Sequence, residues 1–496
     1  MKITPKLKTS LFVSAIAFIG FVVRIPALSK HYALGPDDGV YGLSAVAVTK
    51  GQVPFRQTFS SQGGYFLELI TLPVRIFSDS FWAPRVVSIL AGCAIGICIF
   101  FIGKRIMPET WSFFAGIAVV LSGTLLRTTS AITSDGLVCL ISLLCIIATL
   151  RFIDKHTIER AVIAGVLLGF GTGTKNVFMI PAIVFMVAST VKTPISQRFL
   201  AGAISVGVFI APFAIFGFQE VWDQSVIYHL EKNDQLSISK NINKIITTIS
   251  TFDIVFVLLF IATLIGSVAL IVQYHGISQH LKKSIFSLSP DSGYITRFLT
   301  LFYLLPTALV LIFQNPLFRN HLAIVMPIAY LLMIRFMYFL YIRNIFKVKE
   351  LASIRVIGSI AFCVLAAVGL ISVMTVNESL YKRHRGNKDA VKLLSQLNNS
   401  AIVLTDDPGL VWTAGLMVPE MMTDASRYRF SSKTESIRLT SNDFKNKVGK
   451  PNVCAAVQSH IQKPELLDIA SWVPTNWSRQ QIGDYTIWIN PSMDCK

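Results

Sequence analysis

Acidic residues are scarce in this chain: 496 residues carry only 27 Asp and Glu, and charged residues of both signs make up 15%. Soluble domains carry about a quarter, so composition excludes a water-soluble fold. With 53% hydrophobic residues and a mean hydropathy of +0.60, disordered and fibrous classes are excluded too. No Cys-x-x-Cys pair and no ligand-like His spacing occur, so a permanent metal cluster is not expected. Neither a Gly-x-Gly-x-x-Gly turn after a strand nor a Walker loop is present, which removes the usual cradle for a soluble nucleotide. Internal repeats and low-complexity segments are lacking as well.

Long apolar runs are what the chain does have. Stretches of about 17 to 22 residues, enough to cross roughly 30 Å of hydrocarbon as helices, recur over its first three quarters. They predict about eleven transmembrane helices at 9–28, 83–103, 110–126, 133–150, 160–174, 176–191, 199–217, 252–272, 298–313, 322–342 and 355–374. Charge tests the count, because short cytoplasmic loops collect Lys and Arg. With a cytoplasmic N-terminus, the clusters Lys104/Arg105, Arg151/Lys155/Arg160, Lys192/Arg198, Lys282/Lys283/Arg297 and Arg343/Lys347/Lys349/Arg355 all fall inside. The net charge of +18 is therefore mostly a topology signal, and nucleic-acid binding loses its support.

Three segments are left facing outward: loop 29–82, loop 218–251 and the tail after 374. The expected organisation is a transmembrane catalytic domain over 1–374 and an extracytoplasmic α/β domain over 375–496. In that tail, short apolar runs at 401–404, 453–457 and 485–489 alternate with helix-like stretches at 387–397 and 463–472. Cys454 and Cys495 lie in its polar surroundings, where an oxidising compartment permits a disulfide. Cys93, Cys98, Cys139, Cys145 and Cys363 lie in apolar runs, where a thiol behaves as a small hydrophobe.

Ionisable side chains near spanning segments are costly and ask for a reason. Asp37, Asp38, Arg85, Arg127, Asp135, Lys175, His229, Arg319 and His321 all map to the outer face, as a cavity opening outward requires. Asp37 and Asp38 precede an amphipathic stretch, Val40 to Lys50. Two adjacent carboxylates cannot both ionise cheaply in a partly dry site, which suits one of them to accept a proton; the alternative is that they cap a helix. Asp135 has the same two readings at the fourth span. The arginines either snorkel to headgroups or converge on a phosphate. A divalent cation held by Asp37 or Asp38 with a substrate phosphate is compatible with the pair.

Together Pro36-Asp37-Asp38-Gly39-Val40-Tyr41, Gln62-Gly63-Gly64-Tyr65-Phe66-Leu67, Ala83-Pro84-Arg85, Thr133-Ser134-Asp135-Gly136, Gly173-Thr174-Lys175 and Phe318-Arg319-Asn320-His321 resemble the GT-C superfamily of integral-membrane glycosyltransferases. The likeness is to the family 39 type that includes protein O-mannosyltransferases and the lipid A aminoarabinose transferase. The tail run Leu404 to Trp412 looks like the outer domain of bacterial members. The resemblance implies inverting transfer of a hexosyl or pentosyl group from a polyprenyl-phosphate donor to a glycan, lipid or protein acceptor, at the outer face of a bacterial plasma membrane. It further implies a first-loop acid as general base, Asp37 or Asp38, the Asp-Asp pair leaving open which; with Asp38 as the base, Asp37 and Asp135 would orient the acceptor or a metal. Arg85, Arg127, Lys175, Arg319 and His321 would hold the donor phosphate, and Tyr41, Gln62 and Tyr65 would form the acceptor loop. The alternative reading is a lipid or polysaccharide transporter or flippase of the cell envelope, which calls for charges along a through-path.

Overall fold

The computed structural model describes residues 4–29, 36–77, 80–232, 236–275, 290–342, 367–369, 371, 374, 388–459, 468–492 and 495. Helices α1 (Pro5–Val22), α2 (Pro36–Thr49), α3 (Gly64–Phe77), α4 (Ala83–Gly103), α5 (Glu109–Val120), α6 (Gly123–Ser130), α7 (Ser134–Asp154), α8 (Ile158–Thr174), α9 (Ile180–Ser189) and α10 (Ile195–Phe216) come first. Their starts follow local chemistry. Thr4 accepts from the Leu7 amide with Pro5 opening α1, and Ser122 accepts from the Leu125 amide to open α6, each oxygen satisfying a donor that the first turn leaves free.

Among the described residues, five helices are long and apolar enough to cross a membrane, or up to seven if each of two bent pairs counts as one span. The bends are 57° between α5 and α6, and 107° between Ile238–Phe252 and Ile254–Leu270. The sequence predicts eleven. Three of the expected spans, 160–174, 176–191 and 322–342, hold shorter apolar helices: α8, Val177–Ser189 and Met326–Ile342. Lys175 ends α8, and a tight turn at Val177–Met179 restarts the chain. The eleventh, 355–374, falls almost entirely outside the described residues, as do Cys363 and the 463–467 part of a tail helix.

The centre of the bundle is α4 and α7, about two thirds or more of whose most apolar windows are buried. α4 packs on α1, α3, α5 and α7, and α7 packs on α8. Cys93, Cys98, Cys139 and Cys145 are free and buried there. In membranes such contacts are driven by close packing.

The tail builds a four-stranded sheet in the order β1 (Ile402–Thr405), β2 (Val453–Ser459), β4 (Tyr485–Ile489), β3 (Ser478–Ile482). β1 and β2 run parallel, the other pairs antiparallel, with Val457 opposite Ile487 and Ala456 opposite Trp488. β2 is buried throughout, so it reads as an unbroken apolar run. β3, Ser-Arg-Gln-Gln-Ile, is an exposed edge and carries no apolar signal in the sequence. Gly483, at φ 55°, turns the β3–β4 hairpin in a conformation that costs glycine little.

Cys454 on β2 and Cys495 are joined by a disulfide across a sequence separation of 41. Cross-links of this kind stabilise by about 2–4 kcal/mol through the unfolded chain. Reductant, or Cys454→Ser, is expected to lower the thermal midpoint of the tail and speed its proteolysis; an unchanged midpoint would show that the sheet holds without the clasp.

Candidate active site

Loop 1 (within 29–82), loop 2 (within 218–251) and the tail close over one end of the helix bundle around a cavity of about 880 Å³. The tail is tied to both loops. Glu231 accepts from the Ser432 and Thr434 hydroxyls, Asp223 from Ser436 at 2.6 Å, and the Arg429 guanidinium stacks on Phe59 at 4.0 Å.

Asp37 and Asp38, neighbours in the chain, part company at the start of α2. Asp37 lines the cavity and is exposed to it. Enclosure by the surrounding protein, then the nearby Asp135 carboxylate, push its carboxyl up to about 6, against the opposing pull of Lys175 and Lys232. Asp38 turns into the protein. One of its oxygens accepts from Arg85 Nε at 3.3 Å and from the Ile132 amide at 2.8 Å, and both side chains of this ion pair are buried. Arg85 also donates to the Ala27 carbonyl at 2.9 Å. Neither Asp38 nor Arg85 lines the cavity, so Arg85 departs from its expected place among the phosphate ligands: its role here is to balance the Asp38 charge. Of the two, Asp37 alone is placed at the cavity, where a cation held with a substrate phosphate would sit. Among the described residues no group of three or more His, Cys, Asp or Glu side chains could hold a metal.

The other expected residues divide as follows. Asp135, at the N-terminus of α7, accepts from Lys175 Nζ at 2.7 Å, and both line the cavity with Arg127, Arg319 and His321. Arg127 and Arg319 lie over the Phe252 ring, at 5.1 and 5.9 Å. His321 packs on Phe178 at 4.6 Å, and its Nδ1 accepts from the Phe318 amide at 3.3 Å. Tyr41 and Gln62 form one polar wall: Gln62 Nε2 donates to the Tyr41 hydroxyl at 2.9 Å, and Ser134 donates to Gln62 Oε1 at 2.9 Å. Tyr65 does not join them. Its hydroxyl donates to the Val208 carbonyl at 2.6 Å and its ring packs on Phe170, so it pins α3 to α8 and α10 instead of facing the cavity.

Two lysines escaped the sequence reading. Lys232 lies among the Tyr228, Tyr428 and Phe318 rings, at 4.4, 5.1 and 5.7 Å, and Lys244 donates to the Leu317 carbonyl at 2.7 Å. Both line the cavity. Their long-range placement leaves no local motif; the basic residues of loop 2 are the available signal. His229, by contrast, is among the polar residues that the sequence assigns to the outer loops. Burial holds its imidazole well below the usual range, and Nε2 meets the Ser61 carbonyl at 2.6 Å, so the neutral ring donates there. The tail contributes Asp406, Asp407, Asp424, Asp484 and Tyr485 to the lining. Burial pushes Asp406 up to about 7.

Comparison with solved structures finds this fold elsewhere. ArnT from Cupriavidus metallidurans bound to undecaprenyl phosphate is similar with a TM-score of 0.62 at 13% identity, covering 99% of this chain and 100% of that one. The apo state of ArnT gives 0.62 at 14%, covering 97% and 99%. The Archaeoglobus fulgidus oligosaccharyltransferase in complex with Zn and sulfate gives 0.51 at 12%, covering 92% and 69%. The chain has the GT-C fold and is an integral membrane protein, as its motifs and apolar helices anticipated. Residues 64–216 match the dolichyl-phosphate-mannose-protein mannosyltransferase family. No curated protein matches the sequence.

Proposed function

We propose that this protein is an inverting glycosyltransferase that moves a hexosyl or pentosyl group from a polyprenyl-phosphate donor to a glycan, lipid or protein acceptor. The observation that carries the reading is the meeting, in one cavity, of a cavity-facing carboxylate with five cations: Asp37 with Arg127, Lys175, Lys232, Lys244 and Arg319. The GT-C fold, found in a relative bound to undecaprenyl phosphate, supports the donor class.

In this reading Asp37 takes the proton of an acceptor hydroxyl as its oxygen attacks the anomeric carbon. The bond from that carbon to the lipid phosphate oxygen breaks, and both electrons leave with the phosphate. Lys175, Lys232 and the arginines stabilise the departing charge in a partly dry site, where such contacts are strongest. Lys175 stays oriented by Asp135, while Tyr41 and Gln62 hold the acceptor. The base role thus passes from Asp38, which Arg85 occupies, to Asp37. Basic inner loops and the disulfide support an outward-facing cavity in a bacterial plasma membrane, with the N-terminus cytoplasmic.

The test is reconstitution in vesicles with polyprenyl-phosphate sugars, following release of the lipid phosphate together with formation of the new glycosidic bond. Because the base must be ionised to accept a proton, kcat/KM is expected to fall about tenfold per pH unit on the acid side of about 6, the value to which Asp37 is pushed. Movement of the lipid sugar across the bilayer without bond formation would favour the flippase reading. A rate flat from pH 7 to 4.5 would remove Asp37 as the base.

A further inference from the structure

The tail touches the helix that carries Asp37 at unusually close range. A Cβ on Gly39 would lie 2.3 Å from the Gly409 backbone nitrogen, and one on Gly42 would lie 2.6 Å from the Trp412 ring. Only glycine at both positions of α2 lets the tail helix Pro408–Thr413 settle against it. That helix is anchored from behind. Asp407 accepts from the Gly409 and Leu410 amides with one oxygen and from the Tyr485 hydroxyl of β4, at 2.9 Å, with the other. On its far side the Trp412 ring stacks on Phe81 at 4.3 Å. Phe81 in turn lies under the Arg85 guanidinium at 4.9 Å, and Arg85 grips Asp38. The tail therefore meets α2 twice, directly at Gly39 and Gly42 and through Phe81 and Arg85 at the residue beside Asp37.

We infer that the tail helix Pro408–Thr413 sets the position of α2, and that Trp412, Gly39 and Gly42 are positioning residues for the Asp37 carboxylate. This rests on Asp37 being the base, but the packing stands without it. A carboxylate displaced by an ångström still leaves the cations able to bind donor, so the effect belongs on turnover more than on donor affinity.

Gly42→Ala is expected to lower kcat by about 10-fold or more, with the donor KM within about twofold. Adding Trp412→Leu should return most of the lost rate, because it empties the space the new methyl needs. Trp412→Ala alone should also slow turnover, and Trp412→Phe, which keeps a ring on Phe81, should restore it. A parallel readout needs no activity: an Asp37→Cys variant labelled by a soluble maleimide should change its labelling rate when Gly42→Ala is added and recover it with Trp412→Leu. Wild-type kcat and labelling in Gly42→Ala, or losses that simply add in the double variant, overturn the inference. Should Gly42→Ala fail to fold, equal kcat in Trp412→Ala and Trp412→Phe does the same. If wild-type protein transfers no sugar, the function fails while the labelling series still decides the coupling.

Discussion

Asp37→Asn is expected to cut sugar transfer by about 10²- to 10⁴-fold, the range a positioned general base supplies, while leaving expression, thermal midpoint and donor binding close to wild type. The carboxamide keeps the shape of the side chain and loses only its capacity to take a proton. Asp37 is exposed to the cavity, so no buried charge is stranded. Steady-state transfer and donor-binding assays on the same purified variant separate the two effects. Transfer within threefold of wild type would return the base to another group.

The identical change one residue later should do something different in kind. Asp38→Asn leaves the fully buried Arg85 guanidinium without its counter-charge, and breaking a buried pair from one side costs about 3–5 kcal/mol. Low yield and a depressed thermal midpoint are the expected results. Arg85→Met added to Asp38→Asn should recover much of the loss, since a fully apolar replacement carries no stranded charge. A stable Asp38→Asn protein with no transfer, beside an active Asp37→Asn, would exchange the roles given to the two aspartates.

The bundle was legible because lipid imposes long apolar runs on the helices that cross it. The cavity's membership was legible in part, since Asp37, Asp135, Arg127, Lys175, Arg319 and His321 are cavity residues that hydropathy left as outer polar positions. Which of two adjacent acids faces the cavity was written more faintly, in the helical period. Asp37 shares its face with Tyr41, four residues on, which also lines the cavity. Asp38 shares its face with Gly42 and Ala45, small residues that are buried. Arg85 and Tyr65 could not be placed from the chain alone, because their partners Asp38 and Val208 lie 47 and 143 residues away. The number of spans was less legible where the chain breaks at Lys175, which ends α8 after 17 residues, since hydropathy measures apolar length and not where a helix stops.

The tail's share in the cavity wall also bears on biosynthesis. The ribosome reaches Asp37 early and Trp412 late, so the nascent protein inserts its first helices with the carboxylate still unsupported from above. Only the last quarter of the polypeptide completes the enclosure, and on the function proposed above a chain stalled before that point is expected to transfer no sugar.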